Sequence, residues 1–320
     1  MARYLVTGGA GFIGSNIAHR LAADGVPIRV LDNFATGQRE NLLGLGGRFQ
    51  LIEADIADLD AIRPAFDGVD YVLHQAALPS VPRSVKDPAA TTQANVTGTL
   101  NVLIAARDAG AKRVVVASSS SVYGKEPRLP KVEDMRPQPI SPYAASKLAT
   151  EAYAGAFYEV YGLETVCLRY FNVFGPRQDP TSQYAAVIPL FIKAMLKSER
   201  PTIFGDGEQS RDFTYVDNVV EANLLAAEAP NAAGRVLNIA CGSRTTLNEL
   251  VGTLNRILGT NIEPIYTDPR PGDVKHSLAD ISAAREVLRY EPQVDFETGL
   301  AKTVEWFGAG GVSAGASTGA

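Results

Sequence analysis

The sequence predicts an α/β protein: a doubly wound parallel sheet carrying a smaller mixed α/β lobe. Three observations carry that expectation. Short β-branched runs alternate with longer amphipathic segments, a glycine-rich turn joins the first run to the first such segment, and the rhythm breaks beyond Gly175. The composition agrees, since 320 residues with 46% hydrophobic and 20% charged side chains set aside disordered, collagenous and membrane-spanning classes. A chain of this length makes one large or two modest domains and holds a core without disulfide or metal.

Taken in order, Arg3–Thr7 reads as a strand, Phe12–Ala23 as a helix, and Ile28–Asp32 and Phe49–Glu53 as strands. A helix near Leu59–Phe66, a strand Tyr71–Gln75, a long helix Thr91–Ala109 and a strand Arg113–Ser118 continue the alternation. Pro142 then opens a helix running to about Val160, and Thr165–Phe171 is a strand. Beyond Gly175, Pro and Gly become frequent, and Val216–Ala227 and Val236–Ala240 are expected to return to the main fold. The expected division is therefore 1–175 with 214–241 as the main domain, and 176–213 with 242–307 as the smaller lobe. The Gly/Ala/Ser-rich residues 308–320 read as a flexible tail.

Charge and chemistry-bearing residues narrow the partners. A net charge of −5 argues against nucleic acid. Cys167 and Cys241 sit in separate apolar runs and read as buried free thiols, in keeping with a reducing cytoplasm. His19, His74 and His276 lack zinc-ligand spacing, so no metal is expected. The first residues read as running directly into a strand, and neither a signal peptide nor a transmembrane segment is expected.

Gly8, Gly11 and Gly14 punctuate the turn between the first strand and the first helix. Gly8 permits the tight turn, Gly11 lets the backbone approach a pyrophosphate, and Gly14 allows close helix–strand packing. The helix N-terminus adds N–H donors and a positive dipole end. A glycine-rich turn alone can be purely structural, but Asp32 ends the next strand eighteen residues after Gly14. A carboxylate there accepts from a ribose 2′-hydroxyl and repels a 2′-phosphate, which favours NAD over NADP. Asp32 also suits a turn, given the Asn33 that follows.

The strand Arg113–Ser118 runs into Ser119-Ser120-Ser121-Val122-Tyr123-Gly124, and Tyr143 and Lys147 lie at i and i+4 of the Pro142 helix. A phenol titrating near pH 10 is a weak base at neutral pH, and a neighbouring ammonium favours its ionised form. A serine hydroxyl at the strand end can relay the proton. Such pairs alone are usually packing; behind a dinucleotide turn they read as a site.

With these residues the chain resembles the extended short-chain dehydrogenase/reductase superfamily, with its Rossmann-type sheet, and within it the nucleotide-sugar 4-epimerases. The resemblance spans Arg3 to about Phe307. It implies that Tyr143 is the base, Lys147 its electrostatic partner and ribose ligand, and Ser119 the hydroxyl relay. It also implies NAD contacts from Phe12, Ile13, Asn33, Asp55, Ile56, Ala76, Ala77, Asn95, Ser118 and Tyr170. The 4,6-dehydratases of the superfamily place Asp-Glu after the catalytic serine or threonine. This chain has Ser120-Ser121, which cannot serve as a carboxylic acid/base pair, and Ser120 is left as a substrate contact.

On the substrate side, the resemblance gives Asn172 to the diphosphate and Ala186, Val187, Ile203 and Phe204 to the segments flanking a uracil. Arg211, Arg270 and Asp273 match positions that clamp the diphosphate and uridine ribose, where guanidinium forks suit a dianion. Several segments, QYAAVIP and GDVKHSLADIS among them, are closer to bacterial epimerases accepting UDP-N-acetylhexosamines than to those restricted to UDP-glucose and UDP-galactose. Ser277 stands where the restricted enzymes carry a bulky Tyr, and a small residue leaves room for a C2 acetamido group or a C6 carboxylate. The expectation is a UDP-sugar 4-epimerase with bound NAD. Its rivals are a UDP-glucuronate 4-epimerase, a nucleotide-sugar dehydratase or reductase, and an NAD-sensing scaffold. The resemblance also implies a homodimer built from Thr91–Ala109 and Tyr143–Val160.

Overall fold

The computed structural model describes residues 4–46, 49–180, 186–269 and 275–310. Its main sheet contains β1 (Tyr4–Thr7), β2 (Ile28–Asp32), β3 (Phe49–Glu53), β4 (Tyr71–His74), β5 (Arg113–Ser119), β6 (Glu164–Tyr170) and β7 (Val236–Ile239). The spatial order is β3-β2-β1-β4-β5-β6-β7, with every neighbouring pair parallel. This is the doubly wound arrangement expected from the alternation.

The period of two along each strand sorts the core into two layers. Tyr4, Val6, Ile28, Val30, Leu73, Val115 and Leu168 belong to one apolar cluster. Their sequence neighbours Leu5, Leu31, Val72, Val114, Val116 and Cys167 belong to the other. Helix α1 (Phe12–Ala23) contributes Ile17 and Leu21 to the first layer, and α2 (Gly98–Asp108) and α3 (Pro142–Tyr161) contribute Val102, Ala106 and Phe157 to the second. Helix α4 (Val216–Glu228) packs beside α1, so its buried Val219 and Ala226 join the first layer.

The expected long helix Thr91–Ala109 is instead interrupted. A short helix Pro88–Thr92 passes through a wide turn at Gln93–Thr97 before α2 begins at Gly98. The Asn95 side chain is drawn to the backbone of a preceding loop, accepting from the Leu78 N–H at 2.7 Å. Gly98 lies against Ile56, where a Cβ would come within 2.5 Å of that side chain, so the helix restarts on a glycine.

Beyond Gly175, short paired segments replace the long strands. Thr202–Phe204 pairs in parallel with Ile265–Thr267, Ser210–Arg211 antiparallel with Thr245–Thr246, and Val173–Phe174 in parallel with Thr214–Tyr215. Helices Val187–Leu196, Leu247–Leu258 and Phe296–Gly308 surround them. The sequence reading passed over these three helices. Leu247–Leu258 carried an explicit signal, a Thr246/Glu249 capping box at its start and Gly259 at φ 66° at its end. Phe174, Phe213, Tyr215 and Phe296 form an aromatic cluster beneath this region. Arg3, Arg270 and Asp273 lie outside the described residues, as do 311–320 of the expected tail; Gly308 ends the last helix. The cysteines are free, Cys167 buried and Cys241 partly so.

Candidate active site

The sheet reverses its winding between β1 and β4, and the loops leaving their carboxyl ends diverge there to form a crevice. The glycine turn occupies this point. Gly8 has φ 66°, and a Cβ on it would lie 2.6 Å from the Ala76 backbone, so the two loops touch through a missing side chain. A Cβ on Gly14 would lie 2.2 Å from the Gly8 carbonyl oxygen, which seats α1 directly on the turn. Helix α1 then begins at Phe12 and Ile13 without a side-chain cap or an acidic residue in its first turn. Its leading N–H groups thus suit a diphosphate.

Asp32 is buried, and both its oxygens are engaged. Oδ2 accepts from Ala10 N at 2.9 Å and Oδ1 from Phe34 N at 2.8 Å, so this carboxylate ties the glycine turn to the end of β2. Each oxygen keeps a second lone pair for a ribose hydroxyl. Beside it the Asn33 side chain donates to Asp55 at 3.0 Å, and Asp55 in turn caps Ala57 N at 2.8 Å. Ile56 is buried against Gly98. Ala76 and Ala77 follow β4, with Ala76 N donating to the Thr7 hydroxyl at 3.3 Å.

The Ser-Tyr-Lys set converges from β5 and α3. Ser119 ends β5 and caps the turn Ser120–Tyr123, accepting from Ser121 N at 3.2 Å. Ser141 caps α3, so Tyr143 and Lys147 occupy its first turns on one face. Burial raises the pKa of the Tyr143 phenol, and a hydrogen bond with the Ser119 side chain opposes that rise. Lys147 is buried, donates from Nζ to the Ala117 carbonyl at 2.8 Å, and has its pKa brought down to about 8 by desolvation.

Three of the expected cofactor contacts are occupied in bracing the fold. Asn95 donates from Nδ2 to Ser146 on α3 at 2.9 Å as well as holding Leu78. The Ser118 hydroxyl donates to Glu151, and the Tyr170 hydroxyl accepts from Asn223 Nδ2 while donating to Gln75. Sequence reasoning missed the group that links several of these loops. His74 lies between the hydroxyls of Thr7 at 2.7 Å and Thr99 at 2.9 Å, and burial lowers its pKa to about 3.

Across the crevice, Asn172 adopts φ 36° and reaches Ser277 Oγ at 3.3 Å and the Asp212 carbonyl at 3.2 Å. Arg211 is braced by the carbonyls of Ser210 at 3.0 Å and Lys275 at 3.1 Å. Asp212 accepts N–H groups of Cys241, Gly242 and Ala279, although burial still raises its pKa to about 6. The fold thus gathers Asn172, Arg211 and Ser277. Ile203 is buried in the core, Phe204 is linked to this cluster through Gln209 Nε2 at 2.6 Å from its carbonyl, and Ala186 and Val187 start the helix Val187–Leu196. Ala186 is exposed.

The NAD dependent epimerase/dehydratase family model matches residues 4–240. The chain belongs to this family. As a family member it is similar to the UDP-glucose 4-epimerase of Mycolicibacterium smegmatis, at 42% identity over 95% of this chain and 98% of that one. The solved UDP-N-acetylglucosamine 4-epimerase of Methanobrevibacter ruminantium, in complex with UDP-N-acetylmuramic acid, superposes with a TM-score of 0.92. It is 45% identical, covering 96% of this chain and 98% of that one. The UDP-glucose 4-epimerase of Thermotoga maritima with UDP-glucose has a TM-score of 0.90 at 42% identity, covering 95% and 98%. NAD is the cofactor of the NAD dependent epimerase/dehydratase family, and the uncapped start of α1 on the glycine turn offers N–H groups that suit its diphosphate.

Proposed function

We propose that this protein is a UDP-hexose 4-epimerase that interconverts gluco and galacto configurations and accepts the N-acetylated pair. The observation that carries the reading is the convergence of Tyr143 and Lys147, one turn apart at the start of α3, on the end of β5, where Ser119 stands and Lys147 Nζ donates to the Ala117 carbonyl at 2.8 Å. Ser120-Ser121 follow where a dehydratase needs carboxylates. NAD, when bound, supplies the acceptor and later the donor of the C4 hydride. Tyr143 takes the proton of the sugar 4-hydroxyl through or beside Ser119 as the C4 carbinol becomes a ketone. Asn172 and Arg211, with Arg270 and Asp273 in the same role, hold the nucleoside diphosphate while the sugar turns its other face. Tyr143 then returns the proton, and the enzyme ends each cycle unchanged.

The small Ser277 beside Asn172 supports acceptance of an acetamido group, because little volume is taken from the sugar's side of the diphosphate site. The 1–175 and 214–241 segments form the NAD domain in this proposal, and 176–213 with 242–307 the substrate lobe. We place the enzyme in the cytoplasm, in keeping with free thiols and with no membrane-crossing helix among the described residues. Exposed Tyr153, Val160 and Tyr161 on α3 support a homodimer through that helix. Incubating the purified holoenzyme with UDP-N-acetylglucosamine, UDP-glucose and UDP-glucuronate, without added NAD(P)H, tests the function by NMR and mass. C4 isomers of unchanged mass are expected from the first two. Loss of water, a net redox change, or turnover confined to the uronate overturns the reading.

A further inference from the structure

Helix α3 meets the end of β5 at three consecutive residues. Tyr143 contacts Ser119, Lys147 donates to the Ala117 carbonyl, and Glu151 accepts from the Ser118 hydroxyl between them. The three helical residues are spaced i, i+4, i+8 and share one face. Glu151 is nearly fully buried and forms a bidentate pair with Arg169 of β6, Nε to Oε1 at 2.9 Å and Nη2 to Oε2 at 2.8 Å. Arg169 is further fixed by the Glu133 carbonyl at 3.3 Å and lies over the Tyr123 ring, 4.8 Å from its centroid. Both oxygens of this carboxylate are thus engaged, Oε1 by Ser118 and Arg169 and Oε2 by Arg169.

We infer that Glu151 is a positioning residue of the site: through Ser118 it aligns the strand end that presents Ser119 and Ala117, and its charge holds Lys147 as an ammonium. The inference rests on the Ser119–Tyr143–Lys147 reading above. The need for such a charge is visible in the surroundings. From β4, Lys147 faces His74, which is neutral near pH 7, and from β6 it faces Cys167, whose thiol burial keeps protonated. From β5 it meets the Ala117 carbonyl. Glu151, one turn along its own helix, is the carboxylate that favours the charged lysine against desolvation.

Four variants of the NAD-loaded protein decide the matter, each read by kcat and KM against pH and by NMR titration of 13C-labelled lysine. Glu151→Gln should move the Lys147 titration, and with it the alkaline limb of kcat, to lower pH by more than about half a unit, with KM within twofold. Ser118→Ala should lower kcat several-fold while leaving that limb in place. Glu151→Asp keeps the charge but shortens the reach, so it should resemble Ser118→Ala; it serves as the test if the glutamine variant does not fold. Folded variants whose pH limb, Lys147 titration and kcat all match wild type reduce Glu151 to a structural ion pair and overturn the inference. Tyr143→Phe separates the two readings. If it stays active the site assignment fails, whereas an inactive Tyr143→Phe beside unaltered Glu151 and Ser118 variants removes only the positioning role.

Discussion

Burial makes the Tyr143 phenol harder to ionise, and the Ser119 hydroxyl is the side chain that pulls it back. General-base catalysis by a positioned group contributes about 10²–10⁴-fold, so Tyr143→Phe should lose at least about a hundredfold in kcat while keeping NAD. Retention of a tenth of wild-type turnover would assign the proton to another group. Specificity is a second question at this scale. Ser277 accepts from Asn172, and a phenol ring there competes with an acetamido group for space. Overpacking costs about 1–3 kcal/mol, so Ser277→Tyr should lower kcat/KM for UDP-N-acetylglucosamine roughly 5- to 150-fold and largely spare UDP-glucose. A ratio of the two within twofold of wild type shows that Ser277 does not line the sugar pocket. The proposed catalytic residues were legible because Tyr143 and Lys147 follow helical spacing behind a serine-rich strand end, from which the family resemblance singled out Ser119. Their partners were not, since Glu151 and Arg169 look like ordinary charges until α3 and β6 bring them together.

The turn from β1 to α1 has little freedom to move. An alanine at Gly14 would place its Cβ 2.2 Å from the Gly8 carbonyl oxygen, and the backbone must move to relieve it. Gly14→Ala should therefore purify with less bound NAD and a lower Tm; full NAD content at an unchanged Tm would mean that α1 can shift without harm. β4 offers a pH-dependent counterpart. His74 titrates near 6.5 when unfolded and near 3 when folded, so unfolding takes up a proton in between. Its stabilising contribution is complete above pH 6.5 and is lost as pH falls toward 3, at no more than about 1.4 kcal/mol per pH unit. His74→Gln should remove that part of the acid slope in urea midpoints measured from pH 7 to 4. An identical slope in wild type and variant would place the acid sensitivity in the carboxylates alone. The break of the Thr91–Ala109 segment belongs to this scale too. Its apolar spacing reads as one helix, whereas the pull of Leu78 on Asn95 comes from a loop seventeen residues earlier.

For the whole molecule, the open question is what covers α3. Tyr153 and Val160 are seven residues apart and 38% and 70% exposed, so one face of α3 offers two apolar side chains to a partner. In the proposed dimer these two residues lie in the subunit interface. Tyr153→Glu with Val160→Glu should convert the protein to a monomer in sedimentation velocity, with the far-UV spectrum retained. A wild type that sediments as a monomer, or a dimer unaffected by both substitutions, excludes this face.

The sequence by itself determined the parallel sheet, the glycine turn and the identity of the proposed proton-transfer residues. Each depends on short-range periodicity: alternation along strands, 3.6-residue spacing on α3, and glycine where backbone approaches backbone. Only the tertiary structure decided how the polar groups are used. Ser118, Asn95 and Tyr170 turn to Glu151, to Leu78 and Ser146, and to Asn223 and Gln75. Asn172 meets Ser277 across 105 residues. The reason is physical: a buried polar side chain must find a partner wherever the packed fold supplies one, and that partner leaves no mark in the local pattern of the chain.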